Sequence, residues 1–145
     1  MIALIQRVSE ALVVVDQNTT GKISQGILAL IGIEKEDNHQ KIEKLVNKIL
    51  NYRIFSDDND NMNLNLQQVN GGLLLVPQFT LAADTKSGLR PSFSKAASPD
   101  IASQLFSDFV SHSTAVYDKI ETGIFGANMK VSLLNDGPVT FWLQV

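Results

Sequence analysis

The chain has no cysteine among its 145 residues. Disulfides, thiolate nucleophiles, zinc–cysteine sites and iron–sulfur clusters are therefore excluded. Histidine is nearly as scarce, with His39 and His112 alone. Neither has ligand or triad spacing, and each falls in a segment of helical pattern, where a surface imidazole is the expectation. Positive charge is short as well: 12 Lys and Arg against 15 Asp and Glu leave a net charge of −3. A domain gripping nucleic acid mainly through phosphates is usually basic, so any such contact here must be local. Lys86, Arg90 and Lys95 form the one basic cluster near other motif candidates. Long apolar runs are missing too, since residues 27–33 fall far short of a bilayer span. The first residues carry an early Arg7 and no basic leader or small-residue cleavage site. A cytoplasmic, soluble protein is expected, with no membrane partner.

What is present reads as one α/β domain with two main helices and mixed, largely antiparallel strands in layered sheets. The length suits a single domain with a core of its own. Residues 2–8 and 11–15 read as two strands around Ser9-Glu10, residues 18–21 as a turn, and residues 26–33 as a buried strand. Asp37 is placed to cap a first helix, with Gln40 completing a capping box. Ile42, Leu45, Val46, Ile49 and Leu50 then recur at helical spacing over residues 38–52. Gly71-Gly72 opens a strand at residues 73–76 whose unbroken apolar character predicts burial on both faces. A polar loop follows residues 78–81 and runs to Pro91. Ser98, Pro99 and Asp100 mark the start of a second helix, with Ile101, Leu105, Phe106, Phe109 and Val110 as its buried face. Strands are expected at residues 120–125, 128–134 and 139–145, the last alternating Val139, Phe141, Leu143 and Val145 inward.

Familiar chemistry is mostly absent. There is no GxGxxG and no GxxxxGK[ST]. The acidic run at residues 57–61 lacks the sixth-position Gly and twelfth-position Glu of an EF-hand, so a solvated loop is expected and no metal site. No Asp or Glu sits in an apolar setting that would suit paired acid–base work. Two motifs remain. In Val76-Pro77-Gln78-Phe79-Thr80-Leu81 a buried strand runs into an amide and a hydroxyl. Thr80 would need a base to act as nucleophile, and none is near in sequence. Gln78 and the backbone N–H groups of Phe79 and Thr80 could instead cradle an oxyanion, or merely satisfy a strand end. In Asn135-Asp136-Gly137-Pro138, Pro138 fixes its φ and donates no N–H, while Gly137 reaches conformations closed to other residues. Alone, this pair is a tight hairpin turn, or a turn that holds two carbonyls rigidly in one direction.

Five segments together are recognisable: Gln6-Arg7-Val8, Asn51-Tyr52-Arg53-Ile54-Phe55, Gln78-Phe79-Thr80-Leu81, Arg90-Pro91-Ser92-Phe93, and Asn135-Asp136-Gly137-Pro138-Val139-Thr140. Over its whole length the chain resembles the D-aminoacyl-tRNA deacylases. The resemblance implies hydrolysis of the ester joining a D-amino acid, or glycine, to the terminal adenosine of tRNA, with L-aminoacyl-tRNA left alone. It implies no metal or nucleotide cofactor, the acceptor end of aminoacyl-tRNA as partner, and a homodimer with a cross-subunit site. Gln78, Phe79 and Thr80 would line the catalytic pocket. Gly137 and Pro138, in the cis form, would reach into the pocket of the other subunit as a chiral gate, with Arg7 as its buttress. The family usually has serine where Pro77 stands, and a related group that removes mischarged L-alanine carries proline there. Phe79 keeps the form of the D-specific group. The competing readings are L-alanyl-type editing on the same scaffold and a non-catalytic nucleic-acid-binding dimer.

Overall fold

The fold is organised around one unusually long strand. In the computed structural model, which describes residues 1–86 and 88–145, strand β1 spans Ile2–Val15 without a break. Ser87, part of the polar loop expected after Leu81, lies outside the described residues. The expected division of β1 at Ser9-Glu10 is absent. Those two exposed residues sit at a bulge where the register with β8 (Lys130–Gln144) shifts. A bulge absorbs one residue and bends the strand without ending it, so a polar pair is poor evidence for a loop. Along one edge β1 pairs with β8 for nearly its whole length. Along the other it pairs first with β3 (Gly26–Gly32) and then with β2 (Asn18–Ile23), all antiparallel.

The turn expected at residues 18–21 is instead part of β2. The reversal is made by Asp16 and Gln17, at φ 47° and 68°. A two-residue hairpin of type I′, whose twist matches its strands, needs positive φ at both positions, and here it gets it without glycine.

Beyond β3 the sheet continues in parallel through β6 (Gly72–Pro77) to β7 (Ile120–Thr122). Gly26 stands opposite Gly72, and a Cβ on Gly26 would lie 1.9 Å from the Gly72 carbonyl oxygen. Only glycine permits that approach. As expected, Leu73, Leu74, Leu75 and Val76 are all buried. Leu73 and Leu75 join the core under the helices with Ile27, Ala29 and Ile31. Leu74 and Val76 join a second cluster with Val8, Val13, Ile23 and Leu28. The second cluster exists because the sheet curls, bringing Gly21 of β2 against the backbone of Thr122 in β7.

Helix α1 spans His39–Asn51 and buries the five expected residues. Its cap is Asn38, whose side chain accepts from Lys41 N–H at 3.2 Å, and not Asp37. The Asp37 carboxylate is fully buried and bound elsewhere, accepting from the Met1 ammonium (2.6 Å), Glu34 N–H (2.7 Å) and Lys41 Nζ (2.9 Å). The shift by one residue leaves Gln40 out of capping-box position. Helix α2 spans Pro99–Val116 with Ser98 at its cap, although the serine hydroxyl makes no capping bond. Its buried stripe is Ala102, Leu105, Phe106, Phe109 and Ser113. Ile101, expected inside, is 53% exposed, one position off that stripe, and Val110 is half-buried against the core. A small hairpin of β4 (Phe55–Ser56) and β5 (Met62–Leu64) carries the acidic loop between its strands. There the Asp57 carboxyl is held below its ordinary value, chiefly by the Asn61 N–H. His39 is exposed on α1 and His112 half-buried on α2.

Strand β7 ends at Thr122, short of the expected Phe125. In β6 the amides of Gly72 and Gln78 point to the β3 side, bonding Gln25 and Ile31 carbonyls. That of Leu73 points to the β7 side. Pro77 therefore withholds an N–H on the β7 side, and pairing stops there. The released segment turns away and walls a pocket.

Candidate functional site

The pocket lies where β6 gives out. Its cavity of about 460 Å³ is lined by Val76, Pro77, Gln78 and Phe79, by Ala97, Pro99 and Ala102 around the start of α2, and by Phe125, Gly126, Ala127, Met129 and Val131 after β7. Among the described residues the lining is apolar apart from Gln78 and backbone, with no acid, base or nucleophile. Phe79 opens a short 3₁₀ turn, Phe79–Ala82. Within it, Leu81 N–H bonds the Gln78 carbonyl and Ala83 N–H bonds the Thr80 carbonyl. The amides of Phe79 and Thr80 are the first of the turn and find no partner inside it. Gln78 Nε2 donates to Thr80 Oγ1, tying the two polar side chains to each other. Thr80 itself is exposed and does not line the cavity. Phe79 is 58% exposed and rests on Phe93 with ring centroids 5.1 Å apart.

Phe93 belongs to the loop carrying Lys86, Arg90 and Lys95, all exposed. Its base is closed by reciprocal backbone bonds between Asp84 and Ser92. The Asp84 carboxyl lies below its ordinary value, mainly because Lys86 N–H donates to it, and Lys95 Nζ stands 3.8 Å away. The loop that carries the basic cluster thus meets the pocket rim through Phe93 and Phe79, while the three basic side chains do not line the cavity.

The second motif is elsewhere. Strand β8 does not reverse at Gly137-Pro138, so the hairpin expectation fails. The strand runs on to Gln144 with β1 alongside it. Register passes from Val8 opposite Asn135 to Gln6 opposite Thr140, so residues 136–139 bulge out against Arg7 alone. The Gly137–Pro138 bond is cis and Gly137 sits at φ 136°. Arg7 braces the bulge from beneath. Its Nε donates to the Asp136 carbonyl at 2.9 Å and its Nη1 to the Ile54 carbonyl at 2.7 Å. A Cβ on Gly137 would come within 3.0 Å of Arg7 Nη2 and 2.7 Å of Val139 Cγ2. Tyr52 meets Phe141 edge-on at 5.3 Å, fastening the segment around Ile54 to the far half of β8. The Ile54 carbonyl was invisible as a functional group in the sequence, since any residue supplies one. Met129 was missed too. It lines the pocket and packs its sulfur where a Gly123 side chain would be, at 2.6 Å from that position.

Gln78, Phe79 and Thr80 are brought together, and so are Arg7, Gly137 and Pro138, but the two groups are kept apart. Arg7 pairs with Ile27, whereas Gln78 is bonded at Ile31, and β3 and β1 separate β6 from β8. Strand rise and spacing put the groups roughly 20 Å apart along the sheet. No residue of the bulge lines the pocket of its own chain.

The family model described as D-Tyr-tRNA(Tyr) deacylase matches residues 4–144. The chain belongs to that family. A Haemophilus influenzae protein named D-aminoacyl-tRNA deacylase is 62% identical over 145 residues, covering all of both chains. A Shewanella protein of the same name is 61% identical, again with full coverage of both. Among solved structures, one described as a c-Myc DNA unwinding element binding protein superposes with a TM-score of 0.95 at 35% identity, covering 100% of this chain and 99% of that one. Another, described as a "probable eukaryotic D-amino acid tRNA deacylase", reaches 0.86 at 14% identity, covering 99% and 98%. At that identity the second match speaks for the fold alone. Among the described residues no helix is long and apolar enough to cross a membrane.

Proposed function

We propose that the protein hydrolyses the ester of D-aminoacyl-tRNA, releasing the free D-amino acid and intact tRNA, and that it acts on glycyl-tRNA while rejecting L-aminoacyl-tRNA. One observation carries the reading beyond family membership. A pocket without a titratable side chain is matched by a rigid, carbonyl-bearing bulge that cannot reach it within one chain. An aminoacyl ester beside a ribose 2′-hydroxyl is already labile, so orientation supplies much of the catalysis. Water attacks the ester carbonyl, the amides of Phe79 and Thr80 hold the developing oxyanion, and the 2′-hydroxyl of the substrate handles the proton. No residue of the chain need act as base.

The bulge then serves as the wall of a second copy's pocket. Strand β8 pairs only with β1 among the described residues, and it leaves Leu133, Leu134 and Trp142 at 37%, 59% and 51% exposure. An unpaired, apolar edge of this length calls for cover. In a twofold dimer the carbonyls of Gly137 and Pro138 would meet the α-carbon face of the bound aminoacyl group and clash with an L side chain. Such a gate need not recognise any side chain. Lys86, Arg90 and Lys95 would take phosphates of the acceptor end, which suits an otherwise acidic protein.

Pro77 favours a second reading, L-alanyl-tRNA editing, since the related L-alanine-removing group has proline at this position. The description of one solved relative as a DNA-binding protein favours a third, docking of nucleic acid without catalysis. The test is hydrolysis of D-tyrosyl-, L-tyrosyl- and L-alanyl-tRNA side by side, with duplex DNA binding followed across salt concentrations. Turnover of the D-ester alone is expected. Cleavage of L-alanyl-tRNA as fast as the D-ester would install the second reading. Salt-resistant DNA binding with no ester cleavage would install the third.

A further inference from the structure

The bulge is held at two ends by different groups, and only one of them is Arg7. Arg7 fixes the entry by donating from Nε to the Asp136 carbonyl. At the exit, Asn135 Oδ1 accepts from the Val139 N–H at 3.0 Å. The same carboxamide donates through Nδ2 to Thr140 Oγ1 at 3.3 Å. Thr140 Oγ1 also accepts from Gln6 Nε2 at 3.3 Å, which anchors the set to β1. Asn135 and Thr140 are the last and first residues in register on either side of the bulge. One half-buried side chain therefore spans its neck.

We infer that Asn135 is a positioning residue, whose carboxamide closes the neck of the bulge and sets the direction of the Gly137 and Pro138 carbonyls. The inference rests on the chiral-gate reading above. Residues 136–139 have left the ladder with β1, so their shape depends on ties at the two ends. Arg7 alone would leave the segment hinged at Asp136, free to swing Pro138 and Val139 outward. An Asn supplies both an acceptor and a donor on one planar group, and the neck uses one of each. Asp would keep the acceptor for Val139 N–H, and the Thr140 hydroxyl can turn its proton toward it. Leu keeps the branched shape and neither bond.

The experiment compares wild type, Asn135→Leu and Asn135→Asp in two measurements. Amide hydrogen exchange at Val139, read without substrate, reports the tie itself. Faster exchange in Asn135→Leu and near-wild-type exchange in Asn135→Asp are expected. Kinetics on D- and L-tyrosyl-tRNA report its consequence. Asn135→Leu should raise KM for the D-ester about tenfold with a smaller change in kcat, and raise L-ester hydrolysis by a similar factor. Asn135→Asp should restore both. Unchanged Val139 exchange in Asn135→Leu, or an unchanged D/L ratio with exchange quickened, would overturn the inference. A wild type that cleaves D- and L-esters equally would instead overturn the gate reading, leaving the exchange data to decide the tie.

Discussion

The two halves of the candidate site are built on opposite kinds of strand. Gln78, Phe79 and Thr80 follow β6, a short central strand buried on both faces. Gly137 and Pro138 interrupt β8, an edge strand of 15 residues with Leu143 as its one buried side chain. The first placement gives rigidity by packing: the last residues of β6 cannot move without disturbing the core. The second gives reach, and rigidity has to be added by local ties from Arg7 and Asn135. A floor belongs on the core. A part proposed to enter another molecule sits on an edge.

The contrast predicts that substitutions at the bulge act on selectivity and those at the pocket act on rate. Gly137→Ala should have the largest effect. It places a side chain at positive φ, where non-glycine residues cost about 1–3 kcal/mol, and drives it into Arg7 and Val139. A shift of about 1 Å in a positioned group is worth on the order of 10²-fold, so D-over-L discrimination should fall by about that factor. Parallel D- and L-tyrosyl-tRNA time courses measure it. Arg7→Ala comes next. It leaves the carbonyls of Ile54 and Asp136 without their donor, at a cost of about 1.5–3 kcal/mol read in denaturant unfolding. Selectivity should drop with it. Arg7→Lys should not rescue, because an ammonium cannot reproduce two donors fixed in one plane.

At the pocket the expected effects are smaller. Thr80→Ala should keep kcat within about tenfold of wild type if backbone amides and the substrate's hydroxyl do the chemistry. Total loss of turnover with folding and tRNA binding intact would make Thr80 the nucleophile. Pro77→Ser should change D-ester turnover by a few-fold at most, about 1 kcal/mol or less in barrier. The restored N–H would point to the β7 side, where Pro77 Cδ now lies 3.5 Å from a Cβ built on Gly123. A gain of orders of magnitude would mean that Pro77 has redirected the protein to another substrate.

How much of this was legible beforehand depended on whether the signal was local. The continuous apolar run of residues 73–76 and the alternation of Val139 to Val145 foretold burial correctly, because each strand carries its own periodicity. The break at Ser9-Glu10, the turn at residues 18–21 and the hairpin at Gly137-Pro138 were all misplaced for one reason. Polar residues, Gly and Pro mark departures from a regular ladder, and a bulge departs from it just as a turn does. Which one forms depends on the neighbouring strand: β8 runs past Ser9-Glu10, and β1 past residues 18–21 and Gly137-Pro138. Asp37 was misread as a cap because its partner, the Met1 ammonium, is distant in sequence. Gln78 to Thr80 and Gly137-Pro138 stood out by residue chemistry, whereas Arg7 and the roles of all six came through family resemblance. Their separation into two places was legible only once the register was known.

The central claim is that a complete site takes its pocket from one copy and its gate from another. The most direct measurement pairs two damaged chains. Gly137→Ala spoils the gate but leaves its pocket intact, and Ala127→Trp fills the pocket wall but leaves its bulge intact. Co-expressed in equal amounts, they should form mixed dimers with one undamaged site each, and selective D-tyrosyl-tRNA hydrolysis should recover to about a quarter of wild type. Mixed dimers that form yet regain no selective activity would contradict the account.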